Sequence, residues 1–181
     1  PPVVQRILAS REPAVRRCAI DYLVQAGSDE AARLLCALFK DESQAVRVRT
    51  FMSLERFQHP LIVDELTALC FADQTILKTS DELESLFRAL GKVAGVAVLP
   101  RLRQTVEKKH LLPSGKARNK RDKLLALTAL RYIPGDESRR MIEKLVEDSD
   151  PLVKTKAQHV LKATRSGLGS DVYEPVAEAR A

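Results

Sequence analysis

The sequence predicts an all-α chain: a right-handed α-α superhelix of about ten helices. Three observations predict it. One phrase recurs five times along the 181 residues, apolar side chains repeat at helical spacing, and no segment sustains the period-2 alternation of a strand. The copies are PAVRRCAIDYLVQAG (13–27), QAVRVRTFMSLERF (44–57), DELESLFRALGKVA (81–94), RDKLLALTALRYIP (121–134) and PLVKTKAQHVLKA (151–163). Their central leucines are Leu23, Leu54, Leu90, Leu130 and Leu161, in steps of 31, 36, 40 and 31 residues. A period of this size means stacked supersecondary units, each burying its faces against its neighbours.

Each copy supplies one helix, A. In the first, Val15, Ala19, Tyr22, Leu23 and Ala26 fall on one face. A second amphipathic stretch, B, follows at 29–40, 60–72, 95–109 and 136–147. Residues 2–9 read as a B helix without its A, and 151–165 as an A helix without its B. The boundaries carry their own signals. Gly27-Ser28 closes one helix and caps the next. Ser43, Thr79 with Glu82 as a capping box, and Asp150 before Pro151 open others. Pro100 is tolerable in a first turn and would kink the helix if deeper. Gly91 and Gly95 are read as serving an A-to-B turn. Residues 73–79 read as a longer connection. The periodicity fades at 166–181, a tail that Val172, Tyr173 and Val176 would pin. The expected core includes Leu23, Leu34, Leu35, Leu38, Phe51, Leu54, Leu66, Leu69, Phe87, Leu90, Leu102, Leu127, Leu130, Met141, Ile142, Leu145 and Leu161. One repeat domain is thus expected over 1–165. It starts and ends mid-repeat, without an initiator Met, as a slice of a longer protein would.

Residues Asp41-Glu42-Ser43-Gln44-Ala45-Val46-Arg47 give the fullest signature: an acidic turn, then Val-Arg, then small residues and Leu. Glu12-Pro13-Ala14-Val15-Arg16 is a weaker version, and Asp148-Ser149-Asp150-Pro151-Leu152-Val153-Lys154 replaces Arg by Lys. Over 2–163 these copies resemble HEAT repeats of the prokaryotic type shared with bilin-lyase-like repeat proteins. The third and fourth copies depart from the pattern, with Glu82-Leu83 and Asp122-Lys123 in place of Val-Arg. The resemblance implies B helices lining a concave face, and a protein-interaction role. Arg16 and Arg47 are expected to tie neighbouring repeats together rather than to bind a ligand.

The residues point away from catalysis. His59, His110 and His159 fall in different repeats, with no paired ligand at metal spacing, and no phosphate-binding or nucleophile motif occurs. No catalytic, cofactor or metal residue is assigned. The alkylpurine DNA glycosylases, also built from such repeats, use aromatics against damaged bases. Here Trp is absent, and Tyr22 and Phe51 are read as core-facing. Cys18, Cys36 and Cys70 form no CxxC pair and are read as buried thiols in a reducing compartment, hence a cytoplasmic protein. No apolar run is long enough to span a membrane.

Charge is the remaining signal. The net charge is +6, yet residues 101–123 alone sum to +7 and the other 158 residues to −1. Part of this segment, 110–120, is also the insertion that stretches the repeat, and is read as a loop. On the preceding helix Arg101, Gln104, Thr105 and Lys108 form a polar stripe. On the inferred concave face it would lie beside Arg33, Lys40, Arg140 and Lys144. The candidate partner-binding residues are Arg101, Gln104, Lys108, Lys116, Arg118, Lys120 and Arg121. Three readings stay open for the loop: a solvated surface, a docking site for an acidic protein segment or anionic ligand, and a nucleic-acid surface. The last ranks lowest, because no aromatic is interleaved with the charges. The expected function is a non-catalytic scaffold of bacterial type for a protein or acidic peptide. Nucleic-acid or anionic-ligand binding, and service as accessory subunit of a chromophore lyase, are the alternatives.

Overall fold

The computed structural model describes residues 2–72, 79–107 and 113–165. The A helices are α2 (Pro13–Ala26), α4 (Gln44–Ser53), α6 (Ser80–Ala94), α8 (Pro113–Leu130) and α10 (Pro151–Arg165). The B helices are α1 (Pro2–Leu8), α3 (Asp29–Leu38), α5 (Pro60–Cys70), α7 (Leu99–Glu107) and α9 (Asp136–Val146). Among the described residues there is no strand. The A helices stack in sequence order, α2 on α4 on α6 on α8 on α10, with B helices packed along them. The result is an α-solenoid.

Helix ends follow the sequence signals. Gly27 takes φ 62°, a left-handed C-cap that Gly adopts without a Cβ clash, and Ser28 caps α3 by accepting from Ala31 N–H. Thr79 and Glu82 form the expected reciprocal capping box. The Asp150 carboxylate accepts from the N–H groups of Leu152 and Val153, opening α10. Pro100 lies in the first turn of α7, after a 3-10 turn over Gly95–Val98, where its missing N–H leaves no helix bond unmade.

The core runs along the A/B seam. Of the residues expected there, Leu34, Leu69 and Leu161 are partly buried against it, and the others are buried. Four expectations change. Val15 and Tyr22 are 41% and 49% exposed. They lie on the side of α2 away from α4. At the position of Val15 in later copies, Val46 is 0% and Glu82 1% exposed, because a preceding A helix covers them. Cys18, on the same side of α2, is exposed rather than buried. Gly91 serves no turn. It sits inside α6, where a Cβ would collide with the carbonyl oxygen of Ala129 on α8. Residues 113–120 are the first turns of α8, not a loop. Pro113 opens the helix at its first position, and the Lys-Ala-Arg run after it suits a helix interior. The tail contacts expected of Val172, Tyr173 and Val176 lie outside the described residues, as does most of the 73–79 connection.

Candidate interaction site

Two kinds of cross-repeat joint hold the A layer. The first is ionic. Arg16 donates from Nε and Nη2 to the Asp41 carboxylate, both at 2.8 Å, and from Nη1 to the carbonyls of Ser10 and Arg11. Arg47 repeats the motion. Its Nη1 reaches the carbonyls of Asp41 and Glu42, and its Nε donates to Glu82 Oε1 at 2.7 Å. Lys123 stands where the arginine would be in the fourth copy, and bonds Asp148 at 2.6 Å. Asp41 and Asp148 occupy the same place before their central leucines. The third copy has no acid there, so Glu82 receives Arg47 instead. These arginines therefore hold repeats together, as their spacing predicts. The carboxylate of Asp41 in turn raises the pKa of Arg16 by hydrogen bonding.

The second joint lies between the third and fourth repeats. Leu83 replaces the cation, so no rung of this kind forms there. Gly91 lets α6 and α8 approach backbone to backbone. Tyr132 receives Lys92 over its ring, 4.8 Å from the centroid, with Arg88 and Arg131 also facing it.

The B layer is less uniform. α3 packs on α5, and His59 links them: it caps α5 through Nδ1 and meets Asp29 through Nε2 at 3.1 Å. That hydrogen bond from His59 holds the Asp29 carboxyl below its usual range. α7 packs on α9, tied by Arg103–Glu137 at 2.6 Å and Lys144–Glu107 at 3.0 Å. Between α5 and α7 the layer parts. These two helices barely touch, and among the described residues no hydrogen bond or ion pair joins them. Gly95, at φ 53°, and the 3-10 turn after it set α7 back from α5.

The parting leaves an open groove of about 460 Å³. α5 and the Phe71 that ends it offer Asp64, Thr67, Ala68 and Phe71, a stripe at helical spacing; Ala94, Ala97, Val98 and Arg101 face them. Phe71 is braced from behind by an edge-to-face contact with the core ring of Phe87, centroids 6.1 Å apart. The alanines leave the space unfilled. Asp64 and Arg101 are both exposed, and neither meets an opposite charge among the described residues.

Of the candidate residues, Arg101 and Gln104 share the exposed face of α7, and Arg101 lines the groove. Lys116, Arg118, Lys120 and Arg121 lie on the first half of α8. Their charges are partly engaged: Lys120 with Asp150 at 3.1 Å, Arg118 and Arg121 with Asp122 at 3.8 and 3.5 Å. Burial pushes the Asp150 carboxyl up, but hydrogen bonds from Lys120 and from the N–H groups of Val153 and Leu152 outweigh it and hold it below its ordinary value. Lys108 and His110 lie outside the described residues. Arg33, Lys40, Arg140 and Lys144 are exposed, with Lys144 engaged by Glu107. Sequence reasoning missed Asp64 and Phe71. Their spacing was visible, but the separation of α5 from α7 that opens them to solvent was not.

The family model for HEAT repeats matches residues 1–83. Residues 1–83 carry HEAT repeats. Beyond residue 83 the same helical pairing continues to the end of α10. HEAT repeats generally serve as protein-interaction scaffolds, and the family is typically non-enzymatic. No curated protein matches the chain. Among the described residues no helix is long and apolar enough to cross a membrane, and no cluster of His, Cys, Asp and Glu could hold a metal ion.

Proposed function

We propose that this HEAT-repeat chain is a non-catalytic scaffold that receives a protein segment on its B-helix face, at the groove between α5 and α7. The observation that carries this reading is the parting of the B layer there. Packing and polar ties join α3 to α5 and α7 to α9; between α5 and α7 an apolar-floored opening with Arg101 at its rim is left to solvent. The exposed cations Lys116, Arg118 and Arg121 on α8 extend the basic surface and favour an acidic segment as the partner. A nucleic-acid role has less support. Lys120 and Lys123 are turned onto Asp150 and Asp148, which removes two cations from any phosphate-tracking row. A cytoplasmic, bacterial setting is part of the same reading.

The test is capture of a purified partner by the wild-type chain and by variants. Arg101→Glu, and the triple reversal Lys116→Glu, Arg118→Glu and Arg121→Glu, should each weaken capture with the melting temperature unchanged. The reversal spares Lys120 because that side chain anchors α10. Capture unaffected by both would defeat the reading. Binding of random duplex DNA that falls steeply with salt would replace it by the nucleic-acid alternative.

A further inference from the structure

We infer that the α5–α7 groove takes one aliphatic anchor side chain of an extended peptide, flanked by a carboxylate on one side and a cation on the other. This deepens the scaffold reading and rests on it. Three features point to that occupant. The floor is rigid and apolar, with Phe71 braced on Phe87 and Ala68 and Ala97 leaving room for a branched side chain. A volume of about 460 Å³ lies in the range of sites that hold a small ligand, and suits a side chain with its neighbouring backbone. The rim is dipolar: Arg101 stands on the α7 side and Asp64 on the α5 side. Both charges are solvated and exposed, so they need no partner for folding. Arg101 offers a planar fork that matches a carboxylate, and Asp64 accepts from an ammonium or guanidinium. The peptide's charges are therefore read by position, and its apolar residue by depth.

The rim charges make the inference testable by exchange. Three short synthetic peptides share a central leucine. One carries lysine and glutamate on opposite sides of it, one carries two lysines and one two glutamates. Wild-type chain should bind the mixed peptide roughly fivefold tighter than either other, the upper end for exposed ion pairs. Arg101→Glu should shift the preference to the two-lysine peptide, and Asp64→Lys to the two-glutamate peptide. Ala97→Leu should block all three; Ala97 is exposed, so this change fills the groove without touching the core. A peptide with alanine for the central leucine should not bind.

Equal affinities for the three peptides, or a preference that ignores the two charge changes, would overturn the inference. So would absence of binding. Sedimentation adds a further arm: self-association abolished by Ala97→Leu would assign the groove to a second copy of the chain and overturn the peptide. A partner captured equally well by Ala97→Leu and wild type would also remove the groove, while leaving the scaffold role intact. That role fails separately, when no variant on α7 or α8 alters capture.

Discussion

Arg47 shows how one side chain answers two local demands. It satisfies the carbonyls of the turn before its own helix, and it neutralises Glu82, which is 1% exposed in the next repeat. Removing the cation leaves a buried carboxylate behind. Arg47→Met should therefore lower stability by about 3–5 kcal/mol, the usual cost of breaking a buried pair. Adding Glu82→Gln should recover most of that, since the amide oxygen still caps Thr79. Denaturant unfolding of the two variants checks both halves, and a double variant no better than the single one would refute the pairing. Thiol chemistry gives a second expectation. Burial, with Glu65 adding to it, pushes the Cys36 thiol up to about 11, and burial alone drives Cys70 well above its ordinary value. Cys18 is exposed. Limited alkylation near neutral pH should label Cys18 first, as read by peptide mass spectrometry. Asp150 carries a pH term. Its folded-state pKa lies below the unfolded value, so its contribution is full above the ordinary carboxylate range and is lost as pH falls through the folded value. The difference in melting temperature between wild type and Asp150→Asn should shrink as the solution is acidified.

Helices were legible in the sequence wherever period and cap agreed. The Ser28 and Thr79 caps and the Gly27 stop needed only neighbours in sequence to be recognised. Misreadings arose where a residue's role depends on a neighbour distant in sequence. Gly91 looks like a turn residue until Ala129 is placed against it, and Val15 and Tyr22 look like core although, among the described residues, no A helix covers that side of α2. The start of α8 reads as a loop in sequence because 110–120 is the insertion that stretches the repeat, and Pro113 and Gly115 fall within it. At the head of a helix the same residues are permitted, and the charges that follow find partners at Asp122 on the same helix and at Asp150 before α10. The close approach of α6 and α8 carries its own expectation. Gly91→Ala forces the two helices apart and should cost about 1–3 kcal/mol, as overpacking does. The same change would be mildly stabilising in an open helix, so its sign, read by thermal melting, reports whether the helices truly meet.

For the whole molecule, the two layers differ in continuity. The A helices form an unbroken stack from α2 to α10, whereas the B helices part between α5 and α7, in the middle of the chain. Mechanically this is a flexure: a continuous spine on one side and a slot on the other. Bending that opens or closes the slot moves few packed side chains, so curvature should vary at this point. Anything wedged into the slot would act as a lever, turning a small local displacement into a larger change in the separation of the two ends. Spin labels at Glu30 on α3 and Arg140 on α9, both exposed, would read that separation as a distance distribution. The distribution should narrow and shift when Ala97→Leu fills the slot, and an unchanged distribution would show the spine to be rigid. The scaffold would then report occupancy of its groove through its shape, to whatever is attached at either end.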